Sequence, residues 1–278
     1  MKTNISATEN RHIKIGDHLI GDDQPCFIIA EIGVNFDGSL ELAKNSIDSA
    51  VECGADAVKF QTFHADEFVA NKNLKYTYTL ADGNKVTESQ YDMFKRLELP
   101  HDWHKILQSY AHSKGVMFLS SVADKIAVDL LDSLDVPVFK LASEDLINVD
   151  LLEYAATKKR PVILSTGMAN LQEIELAIEI FISAGMKELI LLHCVSSYPT
   201  PLNSCNLRKI STMRNKYNFP IGFSDHSEGW EAAMLSISLG SCLVEKHFTT
   251  NNYLNGPDHK MSMNPAQFKQ LVNNIRLS

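Results

Sequence analysis

The chain has 278 residues, of which 45% are hydrophobic and 22% charged; that balance can bury a large single core and excludes collagenous, coiled-coil and disordered assignments. Its formal net charge of −8 disfavours non-specific attachment to nucleic acid or to an anionic membrane. An anionic substrate would therefore have to be held by local cations in a pocket.

The first residues, MKTNISATENRHIKIGDHLIGDD, are polar and lack the apolar core of a secretory signal. No apolar run approaches the roughly 18 residues of a membrane span, so the expectation is a cytoplasmic protein with neither membrane nor nucleic acid as partner. Asn4-Ile5-Ser6 matches a glycosylation sequon, which without a secretion route is a chance match. Residues 1–26 are expected to form an extension ahead of the main domain at 27–278, with 12–21 as a hairpin plugging a barrel floor.

From there on, short β-branched or apolar runs recur, each preceded by Gly or Pro. Pro25 precedes FIIAEI, Gly54 ADAVKFQ, Gly115 VMFLSS and Pro137 VFKLAS; Pro161 precedes VILST, Gly185 MKELILLHC, Pro220 IGFSDH and Gly240 SCLVEKHF. Between these strand candidates lie helix-period segments such as LELAKNSIDSAVEC, ADKIAVDLLDSL, LQEIELAIEIFISA and EGWEAAMLSISL. Glycine suits the left-handed cap that ends a helix, and proline at a strand's first residue costs no ladder bond. The pattern predicts a (β/α)8 barrel of the TIM type, parallel throughout. No GxGxxG follows the first strand and no GxxxxGK[ST] occurs, so a Rossmann or P-loop site is disfavoured. The one long interruption, residues 62–100, is expected to be an excursion with a helix at TESQYDMFKRLEL; the last helix candidate is PAQFKQLVNNIRL. Five cysteines (Cys26, Cys53, Cys194, Cys205, Cys242) without CxxC spacing are expected to remain unpaired.

Nearly every strand candidate ends in polar residues, and in a barrel the C-terminal strand ends form the active-site face. Glu31; Lys59 and Gln61; Ser120 and Ser121; Lys140 and Ser143; Ser165 and Thr166; His193, Ser196 and Tyr198; Ser224, Asp225 and His226; and Glu245, Lys246 and His247 close the eight runs in turn. Taken singly each suits an ordinary loop junction; together they point to a site. Lys59 and Gln61 share a strand face, as do Glu245 and His247. Lys59 and Lys140 suggest a cradle for a phosphate or carboxylate, the alternative being a structural ion pair with Glu31 or Asp145. His226 and His247, on adjacent strands, could share a divalent ion of the manganese type, or could be hydrogen-bonded structural residues.

The runs AEIGVN, VKFQTF, FKLAS, VILSTGM, LLHCVSSYPTP, GFSDHSEG, EKHFT and GPDHKMSMNP, in this order and spacing, resemble the sialic acid synthase family, which makes N-acetylneuraminate, legionaminate and pseudaminate. The resemblance implies a transferase that condenses phosphoenolpyruvate with an open-chain N-acylated amino sugar and releases phosphate. It implies that Lys59, Ser121, Lys140, Ser143, Ser165, Ser196 and Ser224 hold phosphoenolpyruvate. His226 and His247 would bind a divalent metal, Mn2+ with Mg2+ or Co2+ as alternatives. Glu31 would be catalytic with Asp145 in support, and Gln61, Tyr198 and Asp258 would contact the sugar. The family commonly has STPF at 120–123, histidine at Phe36, SGE at 143–145 and asparagine at Ser196. Its members usually continue into an antifreeze-like (SAF) domain, absent by expectation here because the chain stops at Ser278. The resemblance implies a homodimer, and the shorter chain implies a barrel-only form, a sugar recognised differently, or a separate protein supplying that piece. A neighbouring synthase acting on a phosphorylated aldose and a catalytically silent binding barrel are the competing readings.

Overall fold

A computed structural model describes residues 11–278; the Asn4-Ile5-Ser6 tripeptide lies outside them. The described strands are β1 (His12–Ile15), β2 (His18–Gly21), β3 (Phe27–Gly33), β4 (Ala57–Thr62), β5 (Lys75–Thr79), β6 (Lys85–Ser89), β7 (Met117–Val122), β8 (Phe139–Leu141), β9 (Val162–Ser165), β10 (Leu189–Cys194), β11 (Ile221–Asp225) and β12 (Leu243–His247). Eight of them close a barrel in the order β3-β4-β7-β8-β9-β10-β11-β12, the last pairing with the first, and all eight contacts are parallel. Helices follow the barrel strands and return the chain to the floor.

Local signals explain where the helices begin. The Ser39 hydroxyl accepts from the amide of Leu42 at the start of Leu40–Glu52, and Asn170 and Asn264 form reciprocal capping boxes with Glu173 and Gln267. Ser89 caps the excursion helix in the same way, so that helix runs Gln90–Leu97. Thr87 and Glu88, expected in the helix, belong to β6 instead. The excursion also carries an antiparallel β5–β6 hairpin that the sequence reading did not anticipate.

Strand alternation sorts the core into two parts. Ala57, Ile29, Leu119, Ile163, Leu192 and Leu243 fill the barrel interior, whereas Val58, Phe60, Phe118 and Val244 pack outward against helices. Val244 thus faces away from the mouth, and Ala57 shares the inward face of Lys59. As expected, β1 and β2 form a hairpin, and its Ile13, Ile15 and Ile20 join the interior cluster from below. All five cysteines are buried and free. No described helix is long and apolar enough to cross a membrane.

Ile15 is 1% exposed at the base of the barrel. Ile15→Ala is expected to cost about 2–4 kcal/mol in unfolding free energy, measured by urea denaturation; a loss below about 1 kcal/mol would show that the hairpin is not part of the core.

Candidate functional site

Toward the C-terminal end of the strands the inward positions change from apolar to ionisable. Strand register sets Glu31 beside Lys59, Gln61 beside Ser121, Ser121 beside Lys140, and Ser224 beside Glu245. These side chains floor a cavity of about 510 Å3 that opens at the mouth of the barrel.

Lys59 Nζ lies 2.8 Å from Glu31 Oε2 and 3.8 Å from Glu245 Oε2; Lys140 Nζ lies 3.9 Å from Glu245 Oε1. Lys140 also donates to Ser165 Oγ at 2.8 Å, and Ser224 Oγ to Glu245 Oε1 at 3.1 Å. Burial alone would discharge Lys59 and Glu245, so those two charges persist through their neighbours. Burial pushes Glu245 up, but Lys140 and Lys59 outweigh it and hold the carboxyl below its ordinary value. Lys59 is raised, because the two glutamates overcome its burial. Glu31 goes the other way: burial, reinforced by Glu245, outweighs Lys59 and lifts it to about 7. Near neutrality the floor therefore has more fixed positive than negative charge and can accept an anion. The ion pair of Lys59 with Glu31 that the sequence offered as an alternative is present alongside this cradle geometry.

Glu31 is held in place from both sides. Its Oε1 accepts from Gln61 Nε2 at 2.9 Å, and the chain turns just beyond it at Gly33, with φ +56°, where a Cβ would lie 3.1 Å from Glu31 Oε1 and 3.2 Å from Gln61 Nε2. A side chain there would crowd both groups.

His226 and His247 lie over β11 and β12 with ring centroids 5.5 Å apart, and Tyr198 stacks on His226 at 4.1 Å. His226 Nδ1 donates to the carbonyl of Val195 at 2.9 Å, which leaves Nε2 with its lone pair toward the cavity. His247 Nδ1 is buried without a hydrogen-bond partner, 3.9 Å from Asp258 Oδ2. Burial first, and neighbouring cations second, hold His247 well below its ordinary value; His226 is also lowered, chiefly by burial. Two imidazoles of lowered basicity, one with Nε2 only 3.5 Å from Ser224 Oγ and one with an unpartnered Nδ1, beside a carboxylate suit a divalent ion of intermediate softness. No three His, Cys, Asp or Glu side chains among the described residues converge to enclose an ion, so such a site would complete its shell with water or substrate oxygens.

The Ser143 hydroxyl accepts from the amide of Gly167 at 3.0 Å, and a Cβ on Gly167 would collide with both Ser143 Oγ and Ser196 Oγ at 2.7 Å. Ser143 lines the cavity. Ser196 is exposed and is not on the cavity wall, so the structure does not bring it to the site with the other serines. Asp145 lines the cavity with an unpartnered, buried Oδ2, raised to about 8 by burial and then by Glu144. The remaining candidates, Tyr198 and Asp258 included, border the same space.

Other polar strand ends point outward and serve the wall. Lys246 pairs with Asp225 at 2.8 Å, Ser120 and His104 share Thr62 at 2.7 and 2.8 Å, the His193 ring meets the Cys205 carbonyl at 2.7 Å, and Thr166 donates to Leu192 O at 3.0 Å. Sequence reasoning gave Glu245 no role, although its shared face with His247 was legible. It also missed Tyr76 and Tyr78 of β5, which line the cavity; the alternation in KYTYT was the available signal. The loop carrying Asp258 is fastened by His259, fully buried between Asp37 Oδ2 at 2.9 Å and Thr249 Oγ1 at 2.7 Å.

Known proteins resemble this chain in sequence and fold. Residues 46–278 match the NeuB family. The chain is 42% identical over 260 residues to the N,N'-diacetyllegionaminic acid synthase of Legionella pneumophila, covering 92% of this chain and 73% of that protein. It is 43% identical over 265 residues to an uncharacterized protein of Methanocaldococcus jannaschii, with 95% and 74% covered. The crystal structure of an N-acetylneuraminic acid synthetase from Leptospira borgpetersenii, in complex with citrate, superposes with a TM-score of 0.87 at 36% identity, covering 96% of this chain and 90% of that one.

Asp145 has a stability signature. Because folding raises its carboxyl from 3.8 to about 8, the unfolded chain gives up that proton more readily, and the folded state is penalised progressively as pH climbs through that window. Asp145→Asn is expected to stabilise the protein by about 1–3 kcal/mol at pH 7 and much less near pH 4, read from denaturation curves at both values. Equal effects at the two pH values would remove the assignment.

Proposed function

The chain belongs to the NeuB family, and from that premise we propose that it condenses phosphoenolpyruvate with an open-chain N-acylated amino sugar to give a nonulosonic acid and phosphate. The observation that carries this reading is the meeting of Lys59, Lys140, Glu31 and Glu245 in one buried layer directly beneath His226 and His247.

In this reading Lys59 and Lys140 neutralise the phosphate and carboxylate of phosphoenolpyruvate, and Ser121, Ser143, Ser165 and Ser224 add neutral donors. Glu31, pinned by Lys59 and Gln61, stands where the enol carbon C3 meets the sugar aldehyde. It exchanges a proton with the nascent hydroxyl or with the water that adds at C2 before phosphate leaves. Gln61, Tyr198 and Asp258 orient the sugar, and Asp145 borders the anion site. His226 and His247 would hold a divalent ion, manganese foremost with magnesium or cobalt as alternatives, which as a Lewis acid would polarise the aldehyde oxygen. Glu245 lies between the two lysines and, with Glu31, keeps Lys59 charged in the absence of substrate.

The reaction is tested by phosphate release, expected when metal, phosphoenolpyruvate and an N-acylated sugar are all present. Release with arabinose 5-phosphate or erythrose 4-phosphate instead would favour an aldose phosphate as acceptor. Lys59→Ala and Lys140→Ala should each weaken phosphoenolpyruvate binding at least about tenfold, as titration calorimetry would measure; full affinity in both would refute the cradle. His226→Ala and His247→Ala should each abolish manganese binding, followed by the ion's paramagnetic resonance signal.

With Glu31 as the base, kcat/KM should rise as pH passes through about 7, because the profile follows the ionisation of the free enzyme. Glu31→Gln should remove that limb together with most of the turnover.

A further inference from the structure

The residues that precede the two histidines point away from the cavity. Asp225 on β11 and Lys246 on β12 turn into the layer where the barrel meets its helices, and both are buried there. Lys246 Nζ donates to Asp225 Oδ2 at 2.8 Å and to the Ser227 carbonyl at 2.5 Å. Asp225 Oδ1 accepts from the Ser227 amide at 2.8 Å and from its hydroxyl at 2.7 Å. The residues on either side of His226 are thus tied to the residue before His247.

Packing alone does not call for this arrangement. A buried ion pair gains little over apolar side chains of similar volume, and the register pair two residues back in the same row, Phe223 with Val244, is apolar. What the charged pair adds is direction, because a bonded polar network has one geometry where apolar contacts can slide. Direction matters at this height: the backbone ladder between β11 and β12 has its last register pair at Asp225 and Lys246, one residue short of the imidazoles. Beyond it, the His226 carbonyl accepts from the amide of Thr200 at 2.8 Å, and His247 pairs with Glu31 on β3. Val195 and Tyr198 fix the rotation of the His226 ring, but its distance from His247 depends on what joins the two strands.

We infer that Asp225, Ser227 and Lys246 are positioning residues: from behind the cavity wall they clasp the two strand ends, hold the His226 and His247 rings at their 5.5 Å separation, and so set the pair's grip on a divalent ion. The inference rests on the metal role proposed for these histidines for its manganese readout only; the contact between the rings tests it without the ion.

The double variant Asp225→Leu/Lys246→Met removes both charges at once, so no uncompensated charge is left to unfold the chain. Its urea midpoint should not fall. Mn2+ affinity, from the ion's paramagnetic resonance signal, should drop at least about tenfold, while phosphoenolpyruvate affinity measured with EDTA should hold, because Lys59 and Lys140 stand on β4 and β8. In histidine-labelled protein, cross-relaxation between the His226 and His247 rings should be present in the unaltered chain and lost in the variant. Unchanged Mn2+ affinity would overturn the inference, as would a joint fall of urea midpoint and of both affinities, which marks general loosening. If the unaltered protein binds no manganese, the metal reading falls by itself and the ring contact decides: its loss in the variant sustains the clasp, its persistence removes it. Where the double variant fails to fold, Ser227→Ala, which deletes one hydroxyl of the clasp, is judged by the same readouts, a smaller loss sustaining the inference and no loss overturning it.

Discussion

Two lysines and two glutamates occupy one buried layer of the barrel, and their burial is tolerable only because they stand together. A lone lysine at 3% exposure, as Lys59 is, would surrender its proton to burial. Glu245 and Glu31 together prevent that, while burial, reinforced by Glu245, displaces Glu31 upward. Such a cluster contributes little to stability compared with apolar packing of the same volume. Its presence in the centre of a core otherwise filled by Ile, Leu and Val is therefore a sign of use. The apolar layer beneath and the structural pairs in the outer wall, Asp225 with Lys246 foremost, supply the rigidity that lets the cluster keep its geometry.

Much of this was legible before any coordinates. Glycine and proline punctuation marked every barrel strand, because both residues have fixed positions in helix-to-strand connections. Periodicity marked the helices, and PAQFKQLVNNIRL coincides with the last one, Pro265–Leu277. The parity of a strand sufficed to set Lys59 with Gln61 and Glu245 with His247 on one face, and the ring then brought these pairs together. The same parity applied to Lys246 and Asp225 would have turned both outward, into the layer where they form their pair.

What escaped notice depended on contacts between distant segments. The pivotal position of Glu245 requires knowing that β8 and β12 face each other across the ring, which alternation within one strand does not encode. The β5–β6 hairpin lies on the surface and buries little, so it lacks the apolar run by which the other strands declared themselves; only KYTYT and the Asp82-Gly83-Asn84 turn signalled it. Ser196 sits at the right place in the chain but is exposed and off the cavity wall, beside a Gly167 where a Cβ would collide with it and with Ser143.

The β1–β2 hairpin beneath the barrel has a kinetic meaning. Ile13, Ile15 and Ile20 close the base, so among the described residues the well is open at the mouth. A ligand held by the lysines would lie at its bottom, and one resting on the imidazoles or against the β5 tyrosines would stand in its way out. Under the proposed function, filling and emptying would then be ordered, with the deep anion arriving first and leaving after the rim is cleared.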